Sequence, residues 1–303
     1  MKASLTPQIT PLVADSWTDY ALIDSGHGRK LERYGKILVD RPEPQALWMP
    51  SLPENEWAKA DAAFTDSGGE DSETGKWRIH KDVADAWPVT WNGVSFICRL
   101  MSFRHMGLFP EQLTHWQWVN DKIKKAQETN GRPLNILNLF AYTGAATLAA
   151  AQAGATVTHL DASKKAIHWA KDNQEASGLQ DRPIRWICDD AKAFVARELR
   201  RGRKYDGIIL DPPKFGRGPD GERWQIEEDL APFLRDCAAL LSDDPEFMIL
   251  TAYAMRLSSV TLAAIIADVT TDKGGSIDYG ELLIKQENGG RFLSTSLYSR
   301  WSK

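Results

Sequence analysis

From residue 134 onward the chain alternates short apolar runs with amphipathic stretches. The runs "LNILNLF", "ATVTHLD", "IRWIC", "YDGIIL" and "FMILTAY" read as buried strands. Helical periodicity falls between them, at about 144–153, 163–177, 191–201, 223–241 and 256–271. Strands and helices alternating at this spacing predict a parallel, doubly wound sheet with right-handed crossovers. The tail breaks the alternation. "IDYGELLIKQ", the turn "ENGG" and "RFLSTSLYSRW" read as two long antiparallel strands. The expected fold is α/β: five parallel strands closed by a C-terminal antiparallel hairpin, a Rossmann-like sheet of seven strands.

Before residue 130 the pattern is different. "KILVDRP", "QALWMP", "GKWRIH" and "WPVTWNGVSFICRLM" are short alternating stretches, the last a hairpin turning at Asn92-Gly93. "FTDSGGEDSETGK" is acidic and glycine-rich and reads as a solvated loop. Pro110 then opens a helix that ends at Gly131, with Leu113, Trp116, Val119, Ile123 and Ala126 on one face. Three units follow: a small mostly-β domain over 1–109, a connecting helix over 110–131, and an α/β domain over 132–303.

Composition narrows the class without naming a chemistry. The 303 residues are 43% hydrophobic and 26% charged, ordinary for a globular protein. No apolar run reaches the roughly 18 residues of a membrane span, and the N-terminus lacks a signal peptide's apolar core. The expectation is a cytoplasmic protein without membrane contact. Cys98, Cys188 and Cys237 are far apart in apolar surroundings and read as reduced core thiols. No Cys/His cluster has metal spacing, so no metal is expected. The net charge of −4 counts mildly against nucleic acid, which would have to be gripped by a local patch.

Ligands of open α/β sheets sit beyond the carboxyl ends of the strands, which singles out four stretches. "NLFAYTGAATLAAAQAG" carries one glycine, Gly144, where a pyrophosphate-binding turn needs three. The second strand ends in Asp161, placed to accept from both hydroxyls of a ribose or, alternatively, to cap the next helix. The third ends in Asp189 and Asp190; either could accept from an adenine amino group, and Asp190 could also cap a helix. Together these describe an adenosine site without phosphates, as S-adenosylmethionine requires. The fourth strand runs into "LDPPKFGRG", where a rigid Asp211-Pro212-Pro213 elbow leaves a carboxylate, Lys214 and Phe215 off the end of the sheet.

Residues 134–303 resemble a class I S-adenosylmethionine-dependent methyltransferase. Within that class, "NLFAYTGAATLAAAQAGATVTHLDASKKAIHWAKDNQEASGL" with "DPPKFGRG" resembles the bacterial large-subunit ribosomal RNA methyltransferases acting at cytosine C5. "FRHMGLFPEQLTHWQWV" resembles the segment that lies over the cofactor in that subfamily. The resemblance implies S-adenosylmethionine as cofactor, held by Phe140, Ala141, Tyr142, Thr143 and Gly144, by Asp161, Ala162 and Ser163, and by Asp189 and Asp190. Asp211 would border the methyl donor, while Phe103, Arg104, His105, Phe109 and Gln112 would close the pocket. It also implies an RNA substrate.

The relatives' catalytic cysteine, expected just after the fifth strand, is missing: Ala252, Tyr253 and Ala254 stand there. Covalent activation of cytosine C5 is therefore not expected. An exocyclic or ring nitrogen needs only orientation, which Asp211 and Pro212 could supply by accepting from an amine, with Phe215 or Tyr253 stacking and Lys214 or Arg217 taking a phosphate. Methylation of a small molecule or protein side chain, or cofactor binding without turnover, are the competing readings. The run Arg197, Arg200, Arg201, Arg203 and Lys204 reads first as a solvated helix end, and His159 and His168 as structural.

Overall fold

The computed structural model describes residues 4–5, 8–66, 74–253 and 257–303. The five apolar runs form β1 (Asn135–Leu139), β2 (Thr156–Asp161), β3 (Ile184–Cys188), β4 (Gly207–Leu210) and β5 (Phe247–Ala252). The tail forms β6 (Ser276–Lys285) and β7 (Phe292–Ser302). Their order across the sheet is β3-β2-β1-β4-β5-β7-β6, parallel except for β7, which runs antiparallel to both its neighbours. The order reverses between β1 and β4, so a crevice opens there beyond the strand ends.

Helices α1 (Leu113–Asn130), α2 (Ala145–Gln152), α3 (Lys164–Ala176), α4 (Ala191–Arg200), α5 (Ile226–Ala239) and α6 (Ser259–Val269) join or cover these strands. The apolar stripe of α1 is buried as its periodicity predicts, and Gly131 ends the helix in the left-handed conformation.

A five-stranded sheet formed by Tyr20–Gly26, Arg29–Tyr34, Ile37–Pro42, Ala62–Asp66 and Gly75–Ile79 makes up most of the small β-rich region. The hairpin Trp87–Trp91/Val94–Cys98 turns at Asn92 and Gly93, both with positive φ (47° and 80°), as a two-residue turn requires.

The structure departs from expectation in four places. Ser4–Leu5 and Leu12–Ala14 pair with β6 and extend the large sheet to nine strands, because the edge of β6 is otherwise open. The segment 64–76 is partly strand, since Ala62–Asp66 pairs with Gly75–Ile79; residues 67–73 lie outside the described residues. The helix expected over 223–241 starts only at Ile226, because Arg223–Gln225 pairs with Phe215–Arg217. Cys188 is exposed at the tip of β3 rather than in the core, unlike Cys98 and Cys237. The helix expected from 256 is described from Ser259, residues 254–256 lying outside the described part.

Candidate active site

The turn after β1 is conformationally strained. Phe140 and Tyr142 have φ of 56° and 48°, the left-handed region, which costs a non-glycine residue roughly 1–3 kcal/mol. Backbone bonds from Ala141 N to Leu160 O (3.0 Å) and from Gly144 N to Ala141 O (3.0 Å) hold it. Beneath it Asn138 Nδ2 donates to Thr147 Oγ1, which meets His159 Nδ1, each at 2.9 Å. Burial lowers the His159 pKa to about 3, so this histidine is a neutral structural group.

Asp161 at the tip of β2 is pinned from both sides. Its Oδ2 accepts from Tyr142 N and its Oδ1 from Ser163 N, both at 2.8 Å. Burial raises its pKa, against the pull of these two N–H groups. A carboxylate oxygen accepting once still has a lone pair for a hydroxyl. The cap of α3 is Ser163, whose hydroxyl accepts from Ala166 N at 3.2 Å, so Asp161 is released from that duty. Ala162 sits between them, its carbonyl accepting from the Cys188 thiol at 3.5 Å. At the tip of β3, Asp190 caps α4 by accepting from Ala193 N at 2.8 Å. Asp189 accepts from Asp190 N at 2.8 Å and is ion-paired with Arg197.

A strap over 103–112 crosses the turn. Thr143 Oγ1 donates to Gly107 O at 2.6 Å, and Asn173 Nδ2 donates to Thr143 O at 2.9 Å. Gly107 has φ of 92°, and a Cβ there would lie 2.3 Å from the Trp169 ring. The small sheet holds the strap from the other side: buried Arg41 donates to Arg104 O at 2.8 Å and is itself paired with buried Glu32 at 2.6 Å. Phe109 stacks with His105, Tyr142 and Tyr253 at ring-centroid distances of 4.9, 5.7 and 5.5 Å.

At the tip of β4, Asp211 meets the end of the strap. Its Oδ2 accepts from Gln112 Nε2 at 3.2 Å, and the same amide donates to Tyr253 Oη at 2.7 Å. Asp211 Oδ1 is buried with no partner. Burial, then the nearby Glu111, push the Asp211 pKa well up, against the pull of Tyr253 and Gln112. Glu111 is itself buried, and its pKa rises to about 7.

The resulting half-open cleft, whose empty space of about 440 Å³ runs out into solvent, is lined by Phe109, Gln112, Trp116, Asn138, Ile209, Asp211 and the turn residues Phe140, Ala141, Tyr142 and Thr143. Gly144 lies behind it, where its φ of 83° starts α2. Phe103 stands on the surface, 47% exposed, and Phe215 is 57% exposed on the segment after the elbow, with Lys214 Nζ 5.4 Å from its ring centroid. Pro212 is buried beside Asp211. Sequence reasoning missed Asn138, Trp116, Thr147 and Glu111. Asn138 and Thr147 carry no signal beyond being polar positions in apolar runs. Two arginines of the run are used internally: Arg197 pairs with Asp189, and Arg201 with Glu198 at 3.1 Å.

A family model for S-adenosylmethionine-dependent methyltransferases matches residues 70–250. The chain belongs to that family. The methyltransferase is also similar over its whole length to the crystal structure of the SAM-dependent methyltransferase from Agrobacterium tumefaciens, with 46% identity, a TM-score of 0.93, and 99% of this chain and 95% of that one covered. SMU.776, solved with S-adenosylhomocysteine, shares the fold at 17% identity and a TM-score of 0.71, over 95% of this chain and 76% of that one. Ribosomal RNA large subunit methyltransferase K/L of Shewanella frigidimarina is 34% identical over 158 residues, which are 52% of this chain and 21% of that protein. The protein of the same name from Pseudoalteromonas atlantica is 30% identical over 159 residues, 52% of this chain and 21% of that protein. The methyltransferase thus matches about a fifth of the length of these curated relatives.

S-adenosylmethionine suits the residues present. Asp161 keeps acceptor capacity at the strand tip, and the residues of the turn after β1 line the cleft. Among the described residues no group of three or more His, Cys, Asp or Glu could hold a metal ion, and no helix is long and apolar enough to cross a membrane.

Proposed function

We propose that this methyltransferase modifies a nitrogen of an RNA base, with ribosomal RNA favoured by the names of its relatives. The observation that carries the reading is the buried, unpartnered Oδ1 of Asp211, beside an Oδ2 already held by Gln112. An acceptor kept dry and unpaired costs roughly 1–3 kcal/mol until a donor arrives. An amine N–H of a flipped-out base is such a donor. Bound S-adenosylmethionine supplies an electrophilic methyl on sulfonium. Asp161 would hold the ribose, Asp189 or Asp190 the adenine, and the 140–144 turn the methionine part. Asp211, with Pro212, would orient the amine nitrogen so that its lone pair faces the methyl, and Phe109 with Tyr253 would wall the base.

Covalent activation through a thiolate finds no support. Cys98 lies in the hairpin of the small β-rich region, Cys237 is buried in α5, and Cys188 is at the tip of β3. β3 is three strands from β4, about 14 Å at ordinary strand spacing.

The test is methyl transfer from labelled S-adenosylmethionine to ribosomal RNA extracted from a deletion strain, with the product nucleoside identified by mass spectrometry. The expected product is an N-methylated base absent from the deletion strain. An unmodified RNA profile, in the strain and in the reaction, would move the substrate to a small molecule or protein side chain. Asp211→Ala should lose transfer while keeping cofactor affinity.

A further inference from the structure

Beyond the elbow the chain forms a two-stranded ribbon. Phe215–Arg217 pairs antiparallel with Arg223–Gln225, in the register Phe215↔Gln225, Gly216↔Trp224, Arg217↔Arg223. Residues directly opposite share a face, and neighbours along a strand alternate. One face is therefore Gly216 and Trp224, the other Phe215, Arg217, Arg223 and Gln225.

The first face is fastened to the catalytic fold. Trp224 is 4% exposed, its ring is 4.9 Å from Phe140 and 5.3 Å from Phe233, and its Nε1 donates to Pro213 O at 2.8 Å. The elbow and the ribbon thus hold each other. The second face carries an exposed phenylalanine and two exposed arginines opposite one another. Like charges directly opposed on a ribbon are destabilising. Neither arginine forms an ion pair among the described residues. Arg223 bonds to Gln225, the nearby Asp229 is paired with Lys192 at 3.0 Å, and Glu222 folds onto Asp220 N at 3.0 Å. An exposed aromatic ring beside two guanidinium groups without carboxylate partners is the equipment of single-stranded nucleic-acid binding, where bases stack and phosphates take the charge.

We propose that this face binds the RNA strand next to the modified base, Phe215 stacking on a neighbouring base and the Arg217–Arg223 pair taking a backbone phosphate. The proposal rests on the RNA reading above and names how a chain of net charge −4 grips a polyanion. Phe215 is four residues from Asp211, so it lies within roughly 14 Å along an extended chain. That is a few stacked nucleotides at about 3.4 Å each.

The test uses the full chain as Arg217→Glu/Arg223→Glu and as Phe215→Ala, with a fluorescent 12-nucleotide single-stranded RNA of mixed sequence as probe. Anisotropy at several salt concentrations should show at least tenfold weaker binding for the double variant, and a salt slope smaller by about 0.7 per lost phosphate contact. Phe215→Ala should weaken binding about tenfold with the slope unchanged. Affinity for S-adenosylmethionine and thermal melting should stay at wild-type values in both. Equal RNA affinity and slope in wild type and double variant would overturn the ribbon assignment, leaving the RNA reading to the extracted-RNA experiment. Wild-type protein that ignores this RNA but binds an octa-aspartate peptide through the arginines would also overturn it, as a protein-docking face.

Discussion

Gln112 and Asp211, 99 residues apart in sequence, meet through a hydrogen bond of 3.2 Å at the mouth of the cleft. The second proton of the same amide goes to Tyr253, so one glutamine holds both the Asp211 carboxylate and the Tyr253 hydroxyl. Gln112→Ala should lower kcat about 10- to 100-fold through lost orientation. Affinity for S-adenosylmethionine, measured by calorimetry, should change far less. Equal losses in kcat and cofactor affinity would instead make Gln112 a cofactor ligand.

Asp161 should matter to binding before chemistry. Its two oxygens fix the turn through Tyr142 N and Ser163 N, and would bind the ribose as well. A hydrogen bond to a charged group contributes about 1.5–3 kcal/mol. Asp161→Ala should therefore weaken S-adenosylmethionine binding by roughly 10- to 150-fold at least, read by isothermal titration. Unchanged affinity would relegate it to a structural role.

Gly107→Ala tests whether the strap must close as it does. The residue needs φ of 92°, and the new methyl would meet Trp169 at 2.3 Å. Destabilisation on the order of 1–3 kcal/mol is expected from the backbone alone. Cofactor affinity should fall with it, because Thr143 is tied to Gly107 O. Chemical denaturation and calorimetry on the same preparation separate the two effects.

Glu111 should leave a mark on stability against pH. Its pKa rises from 4.5 to about 7, chiefly by burial, with Lys30 and Arg41 opposing and Glu32 reinforcing. The folded state then holds a proton that the unfolded state has lost, so stability falls as pH rises from about 4.5 to about 7 and levels off above. The drop is on the order of 3 kcal/mol. Glu111→Gln should flatten that limb in denaturant melts. It should also move the acidic limb of the rate profile down, since Glu111 helps raise the Asp211 pKa.

The strand tips were legible because each is a local pattern: an apolar run sets the strand, and its last polar residue sets the tip. Asp161, Asp190 and Asp211 could be placed this way. The capping of α4 by Asp190 could be read too, since a cap depends on neighbours three residues away. Trp224 shows the opposite case. Its stretch has the periodicity of a helix, yet burial against Phe140 draws it into a ribbon. Glu111 follows Pro110 in the turn that opens α1, and only packing beneath the small sheet buries it.

The sequence by itself determined the alternation of strands and helices, the reversed terminal hairpin, the elbow and the absence of a cysteine beside it, all set by residues close in the chain. Tertiary structure alone decided which distant groups share a site. Gln112 with Asp211, Thr143 with Gly107, and Arg41 with Arg104 are contacts between segments 36 to 99 residues apart. No periodicity encodes such meetings; they follow from strand order and from how the strap is clamped between two cores.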